Sequence, residues 1–179
     1  MRTSILLAVT SLLSAISAQQ TVYLIRHGEQ PPNDGTGLST EGQLRAQCLR
    51  EVFGDKSGYN IDYIIAEHPL KHLYGTHRQR ALDTVLPLAY DLGLAVDTSC
   101  DRDNHNCVGK LVARHNRRGK GNLLICWEHE ALTDIARALG DYDAPIYYDD
   151  HYNLIWTDPY PYSVVTNTTT SEMCPGLDP

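Results

Sequence analysis

The sequence predicts an α/β fold in which helices pack on a largely parallel sheet. Short apolar, β-branched runs alternate with segments whose apolar residues recur at helical spacing, an order typical of such folds. Neither an internal repeat nor a long linker divides the 179 residues, so one domain is expected. Two histidines, His27 and His129, each follow a predicted strand. Because ligands of open parallel sheets bind beyond the carboxyl ends of the strands, we expect a site there.

The elements are predicted from residue type and spacing. The predicted strands cover residues 21–25, 61–66, 94–96, 123–127 and 153–156. The predicted helices are one that starts after Ser39, one over 78–92 and one over 131–139. Ser39 is a suitable N-cap, Pro87 is expected to kink the second helix, and Gly140 is expected to close the third. The domain is predicted over residues 19–160, and the turn-rich stretch 161–179 is predicted to be a poorly ordered tail.

The N-terminus has the pattern of a secretory signal peptide over residues 1–18. Arg2 precedes an apolar run that ends in the small residues Ser17 and Ala18, so cleavage is expected after Ala18. A membrane anchor is the alternative, but the run is shorter than the roughly 20 residues of a span and is rich in serine. We therefore expect a secreted chain that is free of the membrane after cleavage. Asn167 begins a glycosylation sequon, which is consistent with secretion.

The five cysteines fit an oxidising compartment. Cys100 and Cys107 bracket a short polar stretch and predict a disulfide-closed loop. Cys126 lies in an apolar run and is predicted to be a buried free thiol. Cys48 and Cys174 remain, and the sequence leaves open whether they pair.

Charge and histidine spacing narrow the class of partner. The formal net charge of −7 disfavours a nucleic-acid partner, which would bind through a broad basic face. An anion can still bind through a local cluster of Arg and His. No metal is expected, because there is no CxxC pair and Pro69 interrupts the helical spacing between His68 and His72. The basic segment 114–120 either steers an anionic substrate or is a solvated loop.

The strongest chemical signal is Arg26-His27-Gly28 at the end of the first predicted strand. A neutral imidazole is a nucleophile toward phosphorus, and a neighbouring Arg charge helps to keep it neutral. The guanidinium matches phosphate oxygens, and the glycine lets backbone or substrate approach closely. Three such residues alone are also typical of a surface turn, so the interpretation depends on residues further along the chain.

Four features, in order, resemble the histidine phosphatase superfamily, whose members carry Arg-His-Gly after their first strand. Beyond that signature, the first match is Asn33, six residues after His27, and the second is residues 38–46, which are similar to L-[ST]-x-x-G-x-x-Q-A with Arg45 in place of Gln. The third match is residues 76–84, which are similar to S-x-x-x-R-A-x-x-T. The fourth is residues 126–130, which follow the fourth predicted strand. The resemblance runs over residues 22–140. It implies a three-layer α/β/α sandwich with a mostly parallel sheet, of the phosphoglycerate mutase type, and no cofactor.

The resemblance also implies roles for individual residues. His27 would carry the phosphoryl group in a covalent intermediate. Arg26, Arg80 and His129 would surround that group and stabilise its charge in the transition state. The substrate-binding residues implied are Asn33 and Arg78. The alternative for Arg78 is that it is a solvated charge on a helix.

The general acid is predicted to be Glu130, next to the second histidine. Members of the superfamily place the acid either after the third strand or directly after that histidine, and no acidic motif of the first kind follows Val96. Here Glu replaces the usual Asp, and Glu128 is the reserve candidate. The alternative for Glu130 is a helix N-terminal carboxylate that complements the dipole. With Glu130 as the acid, activity is expected to be highest at acidic pH.

These residues together predict a secreted phosphatase that hydrolyses small phosphomonoesters. Two alternatives stay open. A phosphoglycerate mutase is disfavoured by export, because that substrate is cytosolic. A secreted relative that binds a phosphorylated ligand without turnover is disfavoured by the intact His27. The sequence gives neither the physiological substrate nor the oligomeric state.

Overall fold

A computed structural model describes residues 20–32, 35–72, 75–118 and 121–178. The predicted signal peptide, residues 1–18, and Asn33 lie outside the described residues. The strands are Thr21–Arg26 (β1), Ile61–Ala66 (β2), Leu70–His72 (β3), Gly75–His77 (β4), Val96–Asp97 (β5), Asn122–Trp127 (β6), Leu154–Pro159 (β7) and Asn167–Ser171 (β8). The helices are Thr40–Val52 (α1), Arg80–Leu92 (α2), His105–Asn116 (α3) and His129–Leu139 (α4).

Six of the described strands form one sheet in the order β5-β2-β6-β1-β7-β8, and β3 and β4 form a separate hairpin. The four strands β5, β2, β6 and β1 pair in parallel, whereas β7 pairs antiparallel with both β1 and β8. The register places Arg26 opposite Trp127 and Ala66 opposite Cys126. The mostly parallel sheet is therefore confirmed, and the carboxyl ends of β2, β6 and β1 lie side by side.

Helices cover both faces of the sheet and make a three-layer α/β/α sandwich, as predicted. Helices α1 and α2 pack together on one face, and α3 and α4 pack together on the other. The side chains of β6 alternate between the two cores: Leu123 and Ile125 lie under α3 and α4, and Leu124 and Cys126 lie under α1 and α2. Burial on both faces explains why this strand is a continuous apolar run.

Local signals set the ends of the helices. Ser39 caps α1, as predicted, because its Oγ accepts a hydrogen bond of 3.1 Å from the Gly42 N–H. Helix α4 ends at Gly140, also as predicted. Helix α2 begins two residues later than predicted, because Arg78 has a φ of 57°, in the left-handed region that a helix cannot include. Among the described residues, no helix is long and apolar enough to cross a membrane.

Helix α3 and the β3–β4 hairpin are absent from the sequence prediction. Asn104 caps α3 by accepting a hydrogen bond of 3.2 Å from the Cys107 N–H, so the predicted disulfide loop is also the start of a helix. Residues 114–116 of the basic segment form the last turn of α3, which corrects the prediction of a loop there. The apolar stripe of α3 is short, with Val108, Leu111 and Val112 buried among polar neighbours, and the sequence pattern was correspondingly weak.

The prediction of a poorly ordered C-terminal tail is wrong. Strand β8 pairs with β7, with Leu154 opposite Ser171, and Cys174 is buried. Threonine suits a strand because its branched side chain packs well on a pleated surface. The turn-forming residues on both sides of the threonine run hide this propensity, although residues 160–166 alone connect β8 to its partner strand β7.

Two disulfides join described cysteines. Cys100 and Cys107 pair as predicted, and Cys48 pairs with Cys174, which the sequence left open. The second bond ties α1 to the segment after β8. Cys126 is free and buried, as predicted, and burial raises the pKa of its thiol.

Removing the Cys48–Cys174 bond is expected to lower the free energy of unfolding by about 2–4 kcal/mol. The bond spans a sequence separation of 126 residues, whereas the Cys100–Cys107 bond spans 7, and a longer closed loop restricts the unfolded chain more. Urea denaturation of the two double Cys→Ser variants measures the difference. An equal or larger loss in the Cys100/Cys107 variant would contradict this expectation.

Candidate active site

Parallel pairing brings the two predicted site histidines to one edge of the sheet. His27 follows β1 and His129 follows the β6 strand beside it, and the His27 N–H donates a hydrogen bond of 2.9 Å to the Trp127 carbonyl. The Trp127 indole is fully buried and donates a 3.0 Å hydrogen bond to the Arg102 carbonyl. The ends of β1 and β6 are thereby held against each other and against the loop before α3.

The imidazole of His27 is 2% exposed and has one defined partner. Its Nδ1 lies 2.8 Å from the Gly28 carbonyl oxygen. Because a carbonyl only accepts, this contact places the hydrogen on Nδ1 and leaves a lone pair on Nε2. Burial, followed by the charges of Arg80 and Arg26, lowers the pKa of His27 to about 4. The ring is therefore neutral at any pH well above that value.

Gly28 fixes the turn that presents His27. Its N–H donates a hydrogen bond of 2.8 Å to the Thr84 Oγ1, which donates one of 2.7 Å to the Arg80 carbonyl. A Cβ at this position would come within 3.0 Å of the Gly42 carbonyl oxygen and 3.1 Å of the Gly42 Cα. The glycine is required because the turn packs directly on the backbone of α1.

The guanidinium of Arg26 is buried beneath the segment 149–152. It stacks 3.7 Å from the ring centroid of Tyr152, and its Nη1 donates to the carbonyls of Asp149 and His151, the latter at 3.1 Å. Its Nε is buried without a hydrogen-bond partner among the described residues. The Tyr152 ring also lies 6.3 Å from the His27 ring. Sequence reasoning did not identify this segment, whose residues are those of an ordinary polar loop.

Arg80 is the first residue of α2. Its Nη1 lies 3.5 Å from the Gly35 carbonyl, and its Nε is buried without a hydrogen-bond partner among the described residues. Its charge lowers the pKa of His27. Arg78 precedes it with a left-handed backbone. An unfavourable φ of this kind at a non-glycine residue is common where a side chain must be aimed.

His129, the first residue of α4, faces the same edge. Burial, followed by the charge of Arg26, lowers its pKa, while Glu128 and Glu130 act in the opposite direction. Its Nδ1 lies 2.9 Å from Glu128 Oε1, a charge contact whose angles fall short of a hydrogen bond. The carboxylate still favours a hydrogen on Nδ1, which leaves Nε2 as the other reactive nitrogen.

The two predicted candidates for the general acid differ in their surroundings. The side chain of Glu130 is 68% exposed, and its Oε2 lies 2.7 Å from Arg102 Nη2. The side chain of Glu128 is largely buried and accepts from the same guanidinium, with Arg102 Nε at 2.9 Å. One arginine therefore compensates both carboxylates, and it also pairs with Asp103.

Glu67 is a buried acidic residue of this edge that sequence reasoning missed. It directly follows β2, just as His27 follows β1, and it is 2% exposed. Burial, followed by the charge of Glu128, raises its pKa to about 7, against the lowering effect of nearby arginines. The available signal was a carboxyl immediately after the apolar run Ile64-Ile65-Ala66, at the strand end where a site was already expected.

Two clusters of the described residues have the donor types of a metal site. Glu128, His129 and Glu130 offer ligand atoms within 4.8 Å of one another, as do Glu172, Cys174 and Asp178. In the first cluster the Arg102 guanidinium already pairs with both carboxylates. In the second, Cys174 is in a disulfide. Neither donor set resembles an open metal site, and the absence of a metal stays a prediction.

Solved structures share this arrangement of strands and helices. Phosphoglycerate mutase from Bacillus anthracis str. Sterne matches with a TM-score of 0.60 and 13% identity over 87% of this chain and 95% of that chain. Protein histidine phosphatase SixA, complexed with tungstate, matches with a TM-score of 0.54 and 13% identity over 77% of this chain and 86% of that chain. A phosphoserine phosphatase mutant from Entamoeba histolytica, in complex with phosphoserine, matches with a TM-score of 0.52 and 14% identity over 84% of this chain and 97% of that chain.

No protein-family model and no curated protein sequence matches the chain. At these identities the structural likeness establishes the fold, which is phosphoglycerate mutase-like, as predicted. At one edge of the sheet in this fold, the structure brings together His27, Arg26, Arg80 and His129.

Proposed function

We propose that the protein is a secreted phosphatase that hydrolyses small phosphomonoesters through a phosphohistidine on His27. The observation that carries the proposal is the state of that imidazole. It is buried and neutral above a pH of about 4, and the Gly28 carbonyl engages Nδ1 so that Nε2 keeps its lone pair. Arg26 and Arg80 lie beside it with charge that complements a phosphoryl group.

The reaction divides into two displacements at phosphorus. In the first, His27 Nε2 attacks, the N–P bond forms, and the P–O bond to the ester oxygen breaks as that oxygen takes a proton. In the second, water attacks the phosphohistidine, inorganic phosphate leaves, and neutral His27 is restored. Arg26, Arg80 and His129 stabilise the charge on the transferring group in both steps.

The neighbouring structures support a small phosphorylated substrate. One is a protein histidine phosphatase complexed with tungstate, and another is a phosphoserine phosphatase mutant in complex with phosphoserine. Tungstate is a tetrahedral oxyanion, the shape and charge that the Arg and His cluster at this sheet edge would accept. Arg78, whose charge acts on the neighbouring Glu67, is proposed as a further substrate contact.

Secretion is proposed from the sequence pattern of residues 1–18, with no membrane attachment after cleavage. Two disulfides among the described residues support it, because such bonds persist in oxidising compartments. Asn167 is exposed at the first position of β8 and is proposed as a glycosylation site.

Replacing Arg80 with alanine is expected to lower kcat for phosphomonoesters by about 10²–10³-fold, because a preorganised charge at the transferring group is lost. Arg50→Ala is the matched control: Arg50 lies on α1, is exposed and pairs with Asp91. Steady-state kinetics on both purified variants measures the effect. Equal kcat values for the two variants would remove Arg80 from the proposed site.

The proposed function is tested by phosphate release from p-nitrophenyl phosphate with the mature protein, over roughly pH 3 to 8. Turnover supports the phosphatase. Absence of turnover with vanadate still bound would instead identify a protein that binds phosphorylated ligands. Interconversion of phosphoglycerates without net phosphate release would identify a mutase.

A further inference from the structure

Glu67 is a buried acidic residue at the proposed site. It has no role in the two displacement steps as described above. Ala66, the last residue of β2, pairs with Cys126, and the next residue of β6, Trp127, pairs with Arg26. Glu67 therefore stands in one row with Trp127 and Arg26 at the carboxyl edge of the sheet. Strands are spaced about 4.8 Å apart, so two spacings separate Glu67 from β1 by about 10 Å of backbone. Glu67 and His27 thus each directly follow a strand at this edge of the sheet, with β6 between the two strands.

The side chain of Glu67 is buried, and one of its carboxyl oxygens has no hydrogen-bond partner among the described residues. The residue is 2% exposed, and the oxygen without a partner is Oε2. The next residue anchors the backbone twice, because the His68 N–H donates to the Cys100 carbonyl and His68 Nδ1 contacts the Thr98 carbonyl, both at 2.9 Å. A buried polar atom without a partner is costly, and such atoms persist where function requires them.

Four charged groups from neighbouring segments act on the pKa of Glu67. They are Glu128 between β6 and α4, Arg78 before α2, Arg80 at the start of α2, and Arg102 in the loop before α3, with the Cys126 thiol on β6 nearby. Glu128 is compensated by Arg102 and contacts His129. The two neighbouring carboxyl groups therefore have unlike environments: Glu128 is paired with a cation, and Glu67 is buried with an unpaired oxygen. Unlike environments of this kind are typical of neighbouring carboxyl groups that have different roles in catalysis.

We propose that Glu67 is the proton donor to the leaving group in the proposed phosphatase reaction, on which this inference rests. When His27 Nε2 attacks phosphorus and the P–O bond breaks, the Glu67 O–H bond breaks and its proton passes to the ester oxygen, which leaves as a neutral alcohol. Glu67 is then a carboxylate. When water attacks the phosphohistidine, Glu67 accepts a proton from it, the N–P bond breaks, and the original state returns.

Glu67 is better placed for this role than the residue that the sequence predicts. Glu130 is 68% exposed and paired with Arg102, so water and a guanidinium already satisfy it. Glu128 is paired with the same arginine and contacts His129. A group that donates a proton must hold one at the working pH. The raised pKa of Glu67, about 7, lets it do so in neutral and acidic solution.

The test compares two esters in Glu67→Gln, Glu130→Gln and the exposed control Glu51→Gln. p-Nitrophenolate leaves without a proton, whereas the alkoxide of β-glycerophosphate needs one. If Glu67 is the donor, Glu67→Gln loses at least about 100-fold in kcat/KM with β-glycerophosphate and less than about tenfold with p-nitrophenyl phosphate. Glu67→Asp, which keeps an acid, is expected to recover part of the loss and serves if the Gln variant does not fold.

A second readout is the pH profile of kcat/KM. Activity in the wild type is expected to rise with pH through about 4, as His27 loses its proton, and to fall through about 7, as Glu67 loses its own. The fall near 7 should be absent in Glu67→Gln, measured on the same ester so that the titration of the substrate phosphate cancels. A merely structural role for Glu67 would leave the shape of the profile unchanged.

The outcomes separate this inference from the proposed function. Wild-type turnover with equal losses on both esters in Glu67→Gln overturns the donor role and leaves the phosphatase standing. An ester-dependent loss in Glu130→Gln in place of Glu67→Gln assigns the donor to Glu130 and equally overturns the inference. A wild type that hydrolyses neither ester overturns the proposed function and the inference together.

Discussion

Replacing His27 with alanine is expected to lower kcat for phosphate release by about 10³-fold or more, the largest effect of any single substitution in this chain. The variant has no nitrogen that can attack phosphorus, so the covalent route is closed, while Arg26 and Arg80 remain to bind phosphate. Steady-state kinetics on p-nitrophenyl phosphate measures the loss, and vanadate binding shows whether the site is still assembled.

The matched control is His115→Ala. His115 stacks on Tyr63 and pairs with Asp62 near the start of β2, at the opposite end of the sheet from the site. Its loss is expected to lower stability and to leave kcat within a few-fold of the wild type. Comparable loss of kcat in both variants would mean that histidine removal acts through folding. Retained activity in His27→Ala would remove His27 as the nucleophile.

Replacing Arg45 with alanine is expected to lower the free energy of unfolding at pH 7 by about 3–5 kcal/mol. Arg45 is buried on α1 and contacts three carboxylates: Glu29 at 2.7 Å, Glu172 at 2.6 Å and Asp178 at 2.9 Å. Without the guanidinium, Glu29 and Asp178 lose the cation with which they pair and the buried Glu172 loses a hydrogen-bond donor, and Glu29 lies two residues from His27. The Arg50→Ala control removes an exposed ion pair and is expected to lower stability far less.

The pH dependence of the Arg45→Ala variant derives from the same cluster. Burial raises the pKa of Glu172 to about 8 even with Arg45 present. At any pH between the ordinary pKa of a glutamate and about 8, the folded state therefore holds more protons than the unfolded chain. Stability from this group therefore falls as pH rises through that window. Arg45 lowers the pKa of Glu172, so loss of the cation strengthens the trend, and the variant should recover stability toward about pH 4, where Glu172 is protonated in the folded chain. Chemical denaturation at pH 4 and 7 measures it, and an equal loss at both values would contradict this expectation.

Arg45 also shows why part of the fold could not be predicted. The sequence revealed that arginine stands where the superfamily pattern has Gln, but its partners Glu172 and Asp178 lie more than 120 residues away along the chain. The pairing of β8 with β7 is hidden for a different reason, because the two strands are joined by residues 160–166 only and turn-forming residues around β8 mask its strand propensity. Buried strands such as β1 and β6 are predictable because their signal is local: a run of apolar, β-branched residues flanked by polar ones.

Some residues of the site were likewise predictable from a local sequence pattern, and others were not. His27 and His129 were predictable because each ends an apolar run, and the fold brings the ends of neighbouring parallel strands together. Tyr152, which stacks on Arg26, comes from a loop with no distinguishing pattern. Glu67 obeys the strand-end rule that found the histidines, yet its significance depends on burial and on an unpaired oxygen, which only three-dimensional packing creates.

The most direct test of the central claim is to trap the phosphoenzyme. Wild-type protein mixed with a phosphomonoester is quenched in alkali within milliseconds, digested and analysed by mass spectrometry, because phosphohistidine survives base and is lost in acid. We predict phosphate on the peptide that contains His27, and none in His27→Ala. Phosphate release by the wild type with no phosphorylated His27 peptide at any quench time would contradict the proposed mechanism.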